Sequence, residues 1–135
     1  MFQVVFSLFS AVVSCLSDIK TPTQKTYYKI VVSFNSICCG VPSDSLLRNK
    51  IKLFRFQYGL KKIKVHKLYP FGKEGEYKLG FQLQELTPKQ KTEFVTVLKK
   101  TIPLMMDKGY AVLEEDISIC EKELPEGLLK KEMLY

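Results

Sequence analysis

The sequence predicts an α+β domain in which two helices cover one face of a four-stranded antiparallel sheet. Three observations predict it. Tyr77, Leu79, Phe81 and Leu83 alternate with Lys78, Gly80 and Gln82, the period of a strand with one buried face. Leu47, Ile51, Phe54 and Tyr58 recur at i, i+4, i+7 and i+11, one apolar face of a helix. Thr87-Pro88-Lys89-Gln90 joins a capping threonine, a proline at the first helical position and a glutamine able to close a capping box.

The elements follow in order. Tyr27 to Ile37 reads as the first strand, with Tyr28, Ile30, Val32 and Phe34 facing inward. Pro42-Ser43-Asp44 opens the first helix, with Ser43 or Asp44 as N-cap, and Gly59 ends it in a left-handed turn. Leu60 to Tyr69 reads as the second strand, with Ile63 and Val65 inward and Lys62, Lys64 and His66 outward. Pro70 to Glu76 is the turn into the third strand. The second helix buries Phe94, Val95, Leu98 and Ile102, and Pro103 kinks or ends it. Tyr110 to Ile119 reads as the fourth strand, with Leu113, Ile117 and Ile119 apolar and Glu114, Glu115 and Asp116 charged. The tail, residues 120–135, reads as a short helix after Pro125 or as loose chain.

The order β-α-β-β-α-β resembles the ferredoxin-like α/β plait over residues 27–119. That resemblance implies the strand order 4-1-3-2, with strands two and four at the edges. Strand two is lysine-rich and strand four carries Glu114-Glu115-Asp116. Such charges discourage edge-to-edge aggregation. They would also let opposite edges pair in a head-to-tail oligomer.

The length, 135 residues, suits one domain with its own core. The net charge of +7 is uneven: Lys20 to Lys73 holds twelve bases against one acid, and Glu74 to Tyr135 nine against twelve. That asymmetry suits an electropositive face and an anionic partner, and its plainer reading is a lysine-rich solvated surface. Residues 1–26 form a separate segment. MFQVVFSLFSAVVSCL carries no charge and is shorter than a bilayer span. It reads as a signal-peptide core with Val12-Val13-Ser14-Cys15 resembling a bacterial lipobox, although no Lys or Arg precedes it. Cys15 is then the lipidation site, residues 17–26 a tether, and the cell envelope the location. The competing readings are an amphipathic helix packed on the domain and an extra strand.

Two groups of residues are candidate sites. The first is the loop Cys38, Cys39, Gly40, Ser43 and Asp44, which enters the first helix, where backbone N–H groups favour anions and could lower a thiol pKa. Heavy-metal-associated domains share the topology and bind metal at this loop, but through a Cys-x-x-Cys spacing. Adjacent cysteines normally point apart, so no metal is expected here. Acylphosphatases, also plaits, use an arginine in this loop, and none precedes Arg48. Cys120 belongs at the opposite pole, near Tyr27. The second group is a surface of Lys61, Lys62, Lys64, His66 and Lys67 on strand two, suited to sequence-blind phosphate contact. RNA-recognition motifs share the element order and stack bases on strands one and three. Here Tyr77 and Phe81 share a face with Leu79 and Leu83, which assigns them to the core. His66, the only histidine, reads as a solvated surface residue, and no catalytic constellation or cofactor motif is visible.

The resulting expectation is a non-enzymatic binding domain without cofactor, tethered or exported, that meets a protein partner. Its alternatives are a cytosolic polyanion- or RNA-binding module acting through strand two, and a thiol enzyme or metal carrier acting through Cys38 and Cys39.

Overall fold

The computed structural model describes residues 25–120 and 129–135. In chain order they form β1 (Lys25–Ser36), α1 (Ser45–Tyr58), β2 (Lys64–Tyr69), β3 (Tyr77–Gln82), α2 (Pro88–Thr101), a 3₁₀ turn (Ile102–Leu104), β4 (Gly109–Cys120) and β5 (Leu129–Leu134). The first four strands lie in the order β4-β1-β3-β2, all neighbours antiparallel. With both helices on one face, this is the ferredoxin-like plait.

Local chemistry sets the element ends. Gly59 adopts φ 61° and closes α1, its N–H reaching the carbonyls of Arg55 and Phe56. Thr87 and Gln90 form the reciprocal capping box at the start of α2. Pro103 lies in the 3₁₀ turn that terminates α2. At the start of α1 the N-cap position belongs to Asp44, whose side chain makes no cap hydrogen bond; it pairs instead with Arg48 at 3.1 Å.

The core lies between the helices and the sheet. Ile30, Val32 and Phe34 on β1 stand opposite Phe81, Leu79 and Tyr77 on β3, and all are buried. Phe94 joins the layers, with its ring 5.2 Å from Phe54 on α1 and 5.4 Å from Phe81 on β3. Fully burying one such ring contributes about 1.5–3 kcal/mol.

The structure corrects three expectations. First, residues of the tail form β5, which pairs antiparallel with β2 from Lys64↔Leu134 to Tyr69↔Leu129. The ladder extends to Tyr135 and Ile63, which exchange backbone hydrogen bonds of 2.9 and 3.1 Å. β2 is therefore interior, and the edges are β4 and β5. Its lysines do not mark an edge, because β5 satisfies the backbone groups that β2 would otherwise leave unpaired.

Second, Tyr28 leaves the face of Ile30, Val32 and Phe34. It packs with Val31 and Leu68 in a small cluster separate from the main core, on the sheet face away from the helices. The alternation slips between Tyr28 and Ile30, and the facing residue on β4, Asp116, takes a left-handed φ of 55°. The slip needs Gly80. Any Cβ there would lie 2.5 Å from the Tyr28 ring, so glycine makes the room.

Third, His66 is buried, only 6% exposed. Its Nδ1 is 2.9 Å from the Tyr28 hydroxyl, and the two rings meet edge to face. Sequence placed it among exposed lysines, but the ring of Tyr28 covers it.

Candidate anion-binding groove

The five residues expected to form one basic surface are divided by the fold. Lys61 and Lys62 are exposed in the connection before β2, while His66 is buried on the far face of the sheet. Lys67 points to the helix side, where its Nζ lies 4.1 Å from the centre of the Tyr77 ring. Alternation along β2 is the reason, since neighbouring residues of a strand face opposite ways.

A denser set of cations stands on α1. Leu47, Ile51 and Phe54 bury one face of this helix. Arg48, Lys52 and Arg55, spaced i, i+4 and i+7, therefore form a stripe beside it. The stripe borders a groove of about 440 Å³ lined by Ser45, Arg48, Asn49, Lys52, Arg55 and Tyr135. The last of these is held there by its backbone pairing with Ile63, so the strand that covers β2 also supplies part of the groove lining.

Two buried polar atoms in this lining have no hydrogen-bond partner, Nε of Arg55 and the hydroxyl of Tyr135. Buried polar groups are normally satisfied by protein or ordered water, and these two lack a protein partner. The other end of the Arg55 guanidinium donates to the Lys61 carbonyl and fixes the fork. Arg48 is partly compensated by Asp44, whereas Lys52 and Arg55 have no acidic partner in any described ion pair. Past Arg55 the surface continues into a second hollow of about 510 Å³, lined by Lys52, Arg55, Phe56, Gly59, Leu60 and Lys61. Phe56 is 91% exposed there.

Asp44 shapes the tyrosines nearby. Burial first, and then the Asp44 carboxylate, push the Tyr77 hydroxyl above the ordinary tyrosine range. The same causes, in the same order, push Tyr135 up to about 12, with Arg48 opposing. Both hydroxyls stay protonated at neutral pH.

The loop Cys38, Cys39, Gly40, Ser43 and Asp44 divides into two parts. Asp44 and Ser43 belong to the start of α1, where Ser43 Oγ accepts from the N–H of Ser45 at 3.3 Å. Cys38 and Cys39 are exposed free thiols at the pole beyond β1. They do not point apart, for their Sγ atoms are 2.6 Å from each other. The Cys38 pKa is raised, chiefly by that contact with Cys39, opposite to the lowering expected at a helix start. Cys120 pairs with Lys25 at the other end of the sheet, as the topology implied. Among the described residues no three His, Cys, Asp or Glu side chains are placed to hold a metal ion, and no helix is long and apolar enough to cross a membrane. Cys15 and residues 1–24 of the 1–26 segment lie outside the described residues, and the last two, Lys25 and Thr26, belong to β1 rather than to a linker.

Sequence reasoning missed Arg48, Lys52, Arg55 and Tyr135. Its available signal was their helical spacing in a run with no acid between Asp44 and Glu74. Comparison with family models, curated proteins and solved structures gave no match, so a functional reading of this chain rests on these residues.

Proposed function

We propose that the domain is a binding module for single-stranded nucleic acid, held by its phosphates in the groove between α1 and Tyr135. The carrying observation is the stripe of Arg48, Lys52 and Arg55 along a groove also lined by Tyr135. Phosphate oxygens would accept from the guanidinium groups of Arg48 and Arg55. Lys52 would supply a point charge, and Lys61 would extend the track along the backbone. The exposed ring of Phe56 beside Lys52 and Arg55 offers a surface on which a base can stack. No ligand-bound acid–base pair is invoked, and the role is binding without catalysis.

The test is fluorescence anisotropy with a labelled oligouridylate of about 20 nucleotides. For three neutralised phosphates, affinity should fall about 20-fold between 50 and 200 mM salt. Lys52→Glu and Arg55→Glu should each weaken binding about tenfold or more. Lys89→Glu, the same charge change on α2, should have a much smaller effect. Equal losses from all three would reduce the effect to net charge and sink the groove reading.

A further inference from the structure

The loop that follows β1 holds two thiols in a way the groove does not use. Its backbone is tied down on both sides. The N–H groups of Ile37 and Cys38 both point to the Lys108 carbonyl, at 3.3 and 3.4 Å. The Gly40 N–H points to Ser36 Oγ at 3.4 Å. Gly109 sits so tightly under Asn35 that a Cβ would lie 2.0 Å from the Asn35 carbonyl oxygen. That contact fixes the loop against the start of β4. Cys39 then turns into the left-handed region at φ 68°, followed by Gly40 at φ 123°. The reversal swings the Cys39 side chain to the side already occupied by Cys38, which is how neighbours in sequence bring their sulfurs to 2.6 Å.

We propose that Cys38 and Cys39 form a two-electron redox site, oxidised by hydroperoxides to a vicinal disulfide and restored by dithiols. Two-sulfur chemistry fits the site. Among the described residues no third Cys, His or carboxylate completes a metal-binding group, and both thiols are open to solvent. One thiolate of the pair attacks the terminal oxygen of the hydroperoxide. The O–O bond breaks, the sulfur becomes a sulfenic acid, and the departing alkoxide takes up a proton as the alcohol. The neighbouring sulfur then attacks the sulfenic sulfur. The S–S bond forms, the S–O bond breaks, and hydroxide leaves with the second thiol's proton as water. Two thiols lose two electrons and two protons, and the hydroperoxide is reduced to alcohol and water. This inference is independent of the groove.

The experiment treats the full chain with equimolar hydrogen peroxide, blocks remaining thiols with N-ethylmaleimide and digests with trypsin. The peptide Ile30–Arg48 contains Cys38 and Cys39 and no other cysteine. It should appear about 2 Da lighter than its reduced form and carry no maleimide, and dithiothreitol should restore two alkylation sites. Oxidation of the native chain should be at least about tenfold faster than in urea, because the fold brings the sulfurs together. Cys38→Ser and Cys39→Ser should each abolish the lighter species and leave a sulfenic acid that dimedone traps. Sulfinic acid on the wild-type peptide, cross-links to Cys15 or Cys120, or equal rates in buffer and urea would each overturn the proposal.

Discussion

The two helices occupy equivalent places in the plait yet differ in how their charges and ends are satisfied. α2 begins with a complete capping box. Two of its lysines have acids nearby, Lys89 with Glu93 at 4.0 Å and Lys99 with Glu115 at 3.2 Å. α1 has no side-chain cap. Its stripe of Arg48, Lys52 and Arg55 faces a groove that contains unpartnered polar atoms. The inner faces of both helices do the same work, burying Leu47, Ile51 and Phe54 on one and Phe94 and Leu98 on the other. Packing is thus shared between the two halves, whereas the helix ends and the groove distinguish them. A helix that is stable through its inner face alone leaves its outer face open to a ligand.

The largest expected effect removes what the helices share. Phe94→Ala should destabilise the domain by about 3–5 kcal/mol, since it empties the contact with both Phe54 and Phe81. Urea denaturation followed by circular dichroism measures it, and a loss below about 1 kcal/mol would refute the shared core.

Alkaline pH should act on the α1 side. Tyr77 and Tyr135 keep their protons to higher pH in the folded chain than in the unfolded one, where tyrosine titrates near 10. The unfolded state therefore releases protons first. Stability is full below about pH 10 and declines as pH rises toward 12. Denaturant midpoints between pH 8 and 11 test the sign, and Tyr135→Phe should make the decline shallower.

The caps give a smaller contrast. Thr87→Ala should cost about 1 kcal/mol, because the hydroxyl that accepts from the Gln90 N–H is lost. Ser43→Ala at the other helix start should stay within about 0.5 kcal/mol, since its hydroxyl serves only local contacts with Ser45. Smallest of all, Lys89→Ala should change stability by no more than a few tenths of a kcal/mol, as its ion pair is long and solvated. Equal effects at Thr87 and Ser43 would remove the asymmetry between the helices.

Much of this was legible before the structure. Tyr77, Leu79, Phe81 and Leu83 are all buried, as their alternation required, because a strand with one solvated face must repeat every second residue. Thr87 and Gln90 cap α2 because their chemistry is local. The groove was not legible in the same way. Tyr135 reaches it only because β5 returns across the sheet to β2, and the tail's mixed Leu129-Lys130-Lys131-Glu132-Met133-Leu134 run carries no clean period. His66 misled for a related reason. Its burial depends on a slip in β1 opposite Asp116 and on the absence of a side chain at Gly80, both far from it in sequence.

Periodicity, caps and glycine turns act over a few residues, and the chain alone therefore set the order of the six plait elements, most of the helix-facing core and the helix ends. Tertiary structure alone decided that β2 is interior, that Tyr28 covers His66, that Cys38 and Cys39 converge and that Tyr135 lines the α1 groove. Each depends on strands or loops distant in sequence meeting in space, and on steric room that only the assembled sheet defines.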